Sequence, residues 1–283
     1  MKNYIYSVKE KRYVSTKEGF LYTIELDFIS IDEARFNNFT GYLTKGLITS
    51  LIQGIDIRLS KDLEFWRGIK PYSVSPLMRN SQMTNINYIR FRKGDRVRIF
   101  VSSFEEEIIN RVMDAISREP NVKIGDFEFS LKDIKIDKYD LIDFINYQYH
   151  KTVLEISFIT PTAFSTLYGK ENVVFPMPSF LFGNLARLWN ENAPKGTQID
   201  IEQFKNWIWD NVSIIQYNTH LEKAILKKQK IISGFVGRVQ YRLRSLSKYG
   251  AWIWGLARLG ELFGVGIKRT IGMGRIRILS GAY

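Results

Sequence analysis

Cysteine is absent from this 283-residue chain, which removes disulfides, thiolate nucleophiles and zinc–thiolate sites together. Histidine is nearly absent: His150 and His220 stand 70 positions apart, without metal-ligand spacing. No metal and no cofactor are therefore expected. Long apolar runs are missing too. The most apolar stretch, residues 251–267, is broken by Arg258 and Glu261 and is too short and polar to span a bilayer. The opening MKNYIYSVKEKR is too charged for a signal peptide, so a soluble, cytoplasmic protein is expected. With 45% hydrophobic and 25% charged residues the composition is that of a globular protein, and the length suits two domains.

What the chain does have is glycine and positive charge near its C-terminus. Gly264-Val265-Gly266-Ile267-Lys268-Arg269-Thr270-Ile271-Gly272-Met273-Gly274 holds two Gly-x-Gly pairs around two cations. Glycine lets backbone approach a ligand closely, and Lys268 and Arg269 add charge at the same place, so the stretch reads as a phosphate contact. It is not a dinucleotide fingerprint, whose third glycine would fall at Arg269, and no Gly-x-x-x-x-Gly-Lys-Ser/Thr occurs. The net charge is +12, and residues 221–283 carry 13 Lys and Arg against Glu222 and Glu261. A second cluster between Arg67 and Arg98 has eight cations against Asp95 alone. Two clusters of one sign suit a polyanionic partner.

Periodicity supplies the organisation. A strand at Leu21–Ile29 precedes a helix whose Phe39, Leu43, Leu47 and Leu51 form an apolar stripe, with Tyr42, Lys45 and Thr49 on the neighbouring stripe. A strand at Tyr72–Met78 follows. Alternation on either side of Lys93-Gly94-Asp95 predicts a hairpin with Arg90, Arg92, Arg96 and Arg98 on one face. Ser103-x-x-Glu106 predicts a capping box, and a strand region lies between Val122 and Ile136. The second half repeats this order. A strand at Thr152–Phe158 leads to a helix started by Pro178, and a short helix at Ile201–Trp209 is inserted. Strands at Val212–Tyr217 and Ala224–Leu243 come next, the latter alternating Arg238, Gln240, Arg242 and Arg244 with Val239, Tyr241 and Leu243. A last helix through Trp252 and Phe263 ends at Gly264, and a final strand carries Arg275 and Arg277. The expected fold is α+β: two tandem ferredoxin-like βαββαβ domains, 1–140 and 141–283, with the glycine-rich loop 264–274 in the second.

Tandem ferredoxin-like halves with a paired Gly-x-Gly loop between the last helix and strand resemble the CRISPR-associated endoribonucleases that process repeat RNA, the Cas "six" family. The matching pieces are residues 40–52, Tyr72-Ser73-Val74-Ser75-Pro76-Leu77, Thr160-Pro161-Thr162, residues 178–190, Gly234-Phe235-Val236-Gly237 and the loop, the last two being the most specific. The resemblance implies metal-independent cleavage of CRISPR precursor RNA by 2′-hydroxyl attack, leaving a 2′,3′-cyclic phosphate and a 5′-hydroxyl. It also implies repeat RNA as partner, with an effector complex or a second copy of the chain as further associates. A non-catalytic RNA-binding subunit of such a complex shares the fold and is the alternative.

Many members of that family are similar in using a histidine, a tyrosine and a lysine near the first helix. Here Thr49 stands where the tyrosine is expected, and no histidine occurs between Phe39 and Leu77. Lys45, Lys61, Arg67 and Lys70 are the nearby cations. Slow, mostly electrostatic catalysis is expected, with Lys45 in proton transfer or charge stabilisation, Tyr42 as a hydroxyl partner, and Lys70 and Arg238 on the phosphate. The expected RNA contacts are Arg67, Arg90, Arg92, Arg96, Arg98, Lys227, Lys228, Lys230, Arg242, Gly266, Lys268, Arg269 and Gly272. His150 falls on a core parity of its strand, and His220 is a fallback nucleotide contact.

Overall fold

The computed structural model describes residues 19–79, 85–146, 151–166, 171–227, 230–246 and 248–279. Tyr22, Ile24, Leu26 and Phe28 supply the buried side of strand β1 (Phe20–Ser30). The chain continues through β2 (Ala34–Phe36), helices α1 (Gly41–Ile55) and α2 (Ile57–Glu64), and strands β3 (Tyr72–Val74), β4 (Ile89–Phe91) and β5 (Arg96–Ser103). Helix α3 (Glu106–Arg118) and strands β6 (Asn121–Ile124) and β7 (Phe127–Asp140) complete this part, and the short helix α4 (Leu141–Asn146) leads into the second. The sheet order is β3-β5-β1-β7-β6, all antiparallel. With β6 set aside as an added edge, this is the ferredoxin-like arrangement of a βαββαβ unit. Helices α1 and α3 cover one face, where Ile48, Ile52, Ile108, Val112 and Ile116 meet the buried side of the strands.

The second unit runs β8 (Val153–Thr162), β9 (Phe164–Ser165), β10 (Asn172–Val173), α5 (Pro178–Asn192), α6 (Ile201–Asn211), β11 (Val212–Ile225), β12 (Ile231–Leu243), α7 (Lys248–Phe263) and β13 (Ile276–Ile278). Its sheet order, β11-β12-β8-β13, repeats the first with antiparallel neighbours throughout. Pro178 takes the first helical position of α5, where its missing N–H leaves no helical bond unmade. Gly264 takes φ +88° after α7 and donates its N–H to Gly260 O at 2.7 Å, which closes the helix.

Three expectations are corrected. The segments around Lys93-Gly94-Asp95 do not pair with each other: β4 pairs with β2, and β5 is held by β1 and β3 on its two sides. The turn docks on the end of β1 through Gly94 N–H to Ser30 O and Ser30 N–H to Asp95 O, at 2.9 and 3.0 Å. Ser103 forms no capping box with Glu106; its hydroxyl accepts from Glu105 N and donates to Glu105 O, each at 2.9 Å. The strand expected from Ala224 to Leu243 is a hairpin, β11 turning back into β12.

The halves share a joint. Leu21 and Phe104 of the first half pack in the core of the second, beside Leu141 and Phe144 of the connecting helix α4, and the rings of Phe104 and Phe263 lie 4.5 Å apart. Among the described residues no helix is long and apolar enough to cross a membrane.

Candidate nucleic-acid interface

The glycine-rich loop is built from tight internal bonds. Val265 N–H donates to Gly274 O, Ile267 N–H to Ala163 O, and Gly274 N–H to Pro161 O, at 2.8–3.1 Å. Gly266 N–H donates to Asn184 Oδ1 at 2.9 Å, and Thr160 donates its hydroxyl to Gly272 O at 2.9 Å. A Cβ on Gly272 would lie 2.6 Å from Pro76 Cδ, and one on Gly274 would overlap Val265 O. Gly266 and Gly272, expected to offer backbone to RNA, are thus buried against protein backbone. Their left-handed φ values of +73° and +79° fold the loop rather than expose it.

Arg269 is held by the fold in the same way. Its guanidinium donates to Asn184 Oδ1 (3.1 Å) and Gly266 O (3.0 Å) and lies over the Phe263 ring, and burial pulls its pKa down to about 10. Arg275, pulled to about 10 chiefly by burial, donates to Leu262 O at 3.1 Å and reaches across the joint to the Phe100 ring. Two cations of the C-terminal charge cluster therefore serve the fold. Lys268 is the exposed one, at the loop's single left-handed non-glycine position, φ +58°.

The loop rests directly on the helix that carries the candidate chemistry. Gly41, the first residue of α1, lies so close to Ile271 that a Cβ would overlap the Ile271 carbonyl oxygen. One turn further on, Tyr42, Lys45 and Thr49 are half-buried along one side of α1. Lys70 donates its ammonium to Leu63 O and to Glu64 O (3.1 Å) at the C-terminal end of α2. Burial, and then the nearby positive charge of Lys45, hold the Lys70 pKa below its ordinary value. Beneath this pair Tyr72 is buried and hydrogen-bonded to Thr49, with its pKa pushed up to about 12 by burial. The phenol is a fixed neutral group there. Sequence periodicity placed Thr49 on the stripe but carried no sign of this partner.

The two sheet faces differ. On the first, Arg98 Nε lies 2.6 Å from Glu25 and 2.7 Å from Asp27, so the strand next door cancels the charge expected to meet RNA. Arg90 pairs with Glu33 at 2.7 Å. Arg92 and Arg96 are exposed, as is Arg67 after α2. The basic face expected from these four arginines is therefore a mixed one. On the second sheet Arg238, Gln240 and Arg242 point outward and Val239, Tyr241 and Leu243 inward. Arg238 stands in a cross-strand row with Asn218, Ser157 and Arg277. It belongs to this open face, on the other half of the molecule from Lys45 and Lys70.

The β11–β12 hairpin is an arm that reaches back to the first half. Asn87 accepts from Ile225 N at 2.8 Å and donates to Lys223 O at 2.7 Å, and Phe39 N–H donates to Ile225 O at 2.8 Å. Ala224 packs with Phe39 and Met273 underneath, joined by Leu226, Ile232 and Ile271. Lys227 and Lys230 are exposed at its tip; Lys228 lies outside the described residues. His220 is exposed on β11, its Nε2 3.9 Å from Glu222, and His150 lies outside the described residues. The arm, the loop and the start of α1 thus form one continuous surface bearing Lys45, Lys268, Lys227 and Lys230. Nothing in the sequence signalled the clamp at Asn87.

The family model of the CRISPR-associated endoribonuclease Cas6 matches residues 156–276. A Cas6 endoribonuclease of Streptococcus thermophilus is 23% identical over 156 residues, 55% of this chain and 62% of that protein. One of Mycobacterium tuberculosis is 21% identical over 221 residues, 74% of this chain and 63% of that protein. The matches thus span less than two thirds of either relative. Among solved structures, Thermus thermophilus Cas6 in a product complex has a TM-score of 0.75 at 18% identity, covering 92% of this chain and 100% of that one. A Cas6-related protein of Pyrococcus furiosus has 0.60 at 19%, covering 92% and 99%. Both share the fold.

Proposed function

We propose, for a chain that belongs to the CRISPR-associated Cas6 family, that it binds CRISPR repeat RNA and cuts the precursor transcript. The observation that carries this reading is that the glycine-rich loop and the basic hairpin arm both dock at the start of α1, through Ile271 on Gly41 and Ile225 on Phe39, on the helix that carries Tyr42 and Lys45. The Thermus relative was solved with its product, and a RAMP protein binding different RNA substrates shares the fold at a TM-score of 0.58. We take residues 1–140 and 141–283 as the two units of the enzyme, acting in the cytoplasm.

Cleavage by the ribose 2′-hydroxyl needs that hydroxyl held in line, its proton removed, the 5′-oxygen protonated, and charge on the phosphorane stabilised. Lys45 and Lys70 supply positive charge, and burial together with the Lys45 charge lowers the cost of deprotonating Lys70. A lysine so poised passes a proton nearer neutral pH than an isolated one. Tyr42 offers a hydroxyl beside Lys45. Arg238 and Arg242 hold RNA on the open second sheet, away from the reacting phosphate. With no imidazole on α1 the reaction is slow, and its products are a 2′,3′-cyclic phosphate and a 5′-hydroxyl.

Incubation with repeat RNA in EDTA, beside a copy 2′-deoxy at the cut site, tests this. Cleavage of the first RNA alone is expected, and its loss in Lys45→Ala with binding retained. Binding of both RNAs without cleavage of either would remove the enzyme and favour the second reading, a non-catalytic repeat-binding subunit, which the missing histidine on α1 recommends.

A further inference from the structure

A cavity of about 230 Å³ opens along α5, whose Asn184 also accepts a bond from Gly266 of the glycine-rich loop. One side of α5 forms its wall, with Ser179, Phe180, Gly183, Asn184 and Arg187; Lys205 of α6 and Phe164 close it. Gly183 makes the space. A Cβ there would meet only Lys205, at 3.5 Å, so any longer side chain would grow into the cavity.

The chemistry of the wall is one-sided. No Asp or Glu lines it. Arg187 is half-buried and, among the described residues, has no ion pair or hydrogen-bond partner. Lys205 meets Glu202 at 3.3 Å, but that carboxylate is 80% exposed and outside the cavity. Asn184 turns its oxygen to the loop, where it accepts from Gly266 N and Arg269 Nη1, which leaves its amide N–H groups as donors on the other side. Donors and cations without a carboxylate select an anion, and the half-buried Phe180 beside them offers a ring face to a base.

We propose that this cavity seats one nucleotide of the bound RNA, its phosphate on Arg187 and Lys205 with help from Ser179 and Asn184, and its base against Phe180. The proposal rests on the RNA-binding reading above and extends it. The loop touches α1 through Ile271 and the wall of this cavity through Asn184, so RNA lying on the loop has both within its reach.

Fluorescence anisotropy with labelled repeat RNA, over a range of salt, tests the seat with two variants that act by different means. Arg187→Gln removes the charge and Gly183→Leu fills the space; circular dichroism melts confirm that each is folded. Affinity is expected to fall about tenfold in each. The slope of log affinity against log salt should shrink by about one in Arg187→Gln and stay unchanged in Gly183→Leu. A benzoylphenylalanine placed at Phe180 should crosslink to the RNA. If the unaltered chain binds repeat RNA and both variants bind within twofold of it, the seat is wrong while the functional reading stands. If the unaltered chain binds no repeat RNA, both fall.

Discussion

Charge at single residues is decided here by neighbours that are remote in sequence. Arg98 has two carboxylates on the adjacent strand, Arg269 and Arg275 are folded into the joint, and Lys45 and Lys70, 25 positions apart, repel. The last pair gives a measurable prediction that does not depend on RNA. Lys70 is depressed from 10.5 first by burial and second by Lys45, so Lys45→Met should move its pKa up, though not fully back, as read by NMR titration of the lysine side chains. No upward movement would mean the two charges are not coupled. Because the folded pKa lies below the unfolded one, the unfolded chain binds more protons between them, and the contribution of Lys70 to stability rises with pH across that window.

At the scale of elements, the loop and α1 are fitted to each other backbone to backbone, and glycine is needed where they touch. Gly272→Ala would set a Cβ 2.6 Å from Pro76 at φ +79°, and urea unfolding should show a loss of at least about 2 kcal/mol. Gly46, exposed in mid-α1 with nothing within 4 Å of its added Cβ, serves as the opposite case. Gly46→Ala should raise stability by about 0.5–1 kcal/mol through better helix propensity. Equal effects at the two positions would contradict the close approach of the loop to Pro76. Element types were legible in the sequence because periods of 3.6 and 2 mark them, as along α1 and β12. The hairpin at Gly94 was misread because alternation shows which side of a strand is buried but not which strand lies beside it.

Across the whole molecule the two like units meet, among other places, at the Phe104–Phe263 contact, at the loop on α1, and at the hairpin arm on Phe39 and Asn87. Asn87→Ala removes both side-chain bonds to the β11 end and should speed hydrogen exchange at the Ile225 amide while the core of β12, at Val239 and Tyr241, keeps its protection. Unchanged exchange at Ile225 would show that Phe39 and the apolar contacts suffice. With the arm loosened, Lys227 and Lys230 lose their fixed place beside α1, and weaker repeat-RNA binding is expected by anisotropy.

By itself the sequence determined the two βαββαβ units, the glycine-rich loop after α7 and the excess of cations in the last quarter of the chain. Hydrophobic period, turn residues and composition are local properties. Only the tertiary structure decided which cations remain free, since ion pairing depends on strand register and burial on packing between the halves. It also showed the loop's glycines as tight turns of buried backbone packed against Pro76 and Ala163. Close approach of two backbones has no signature in either segment alone, only in the space between them.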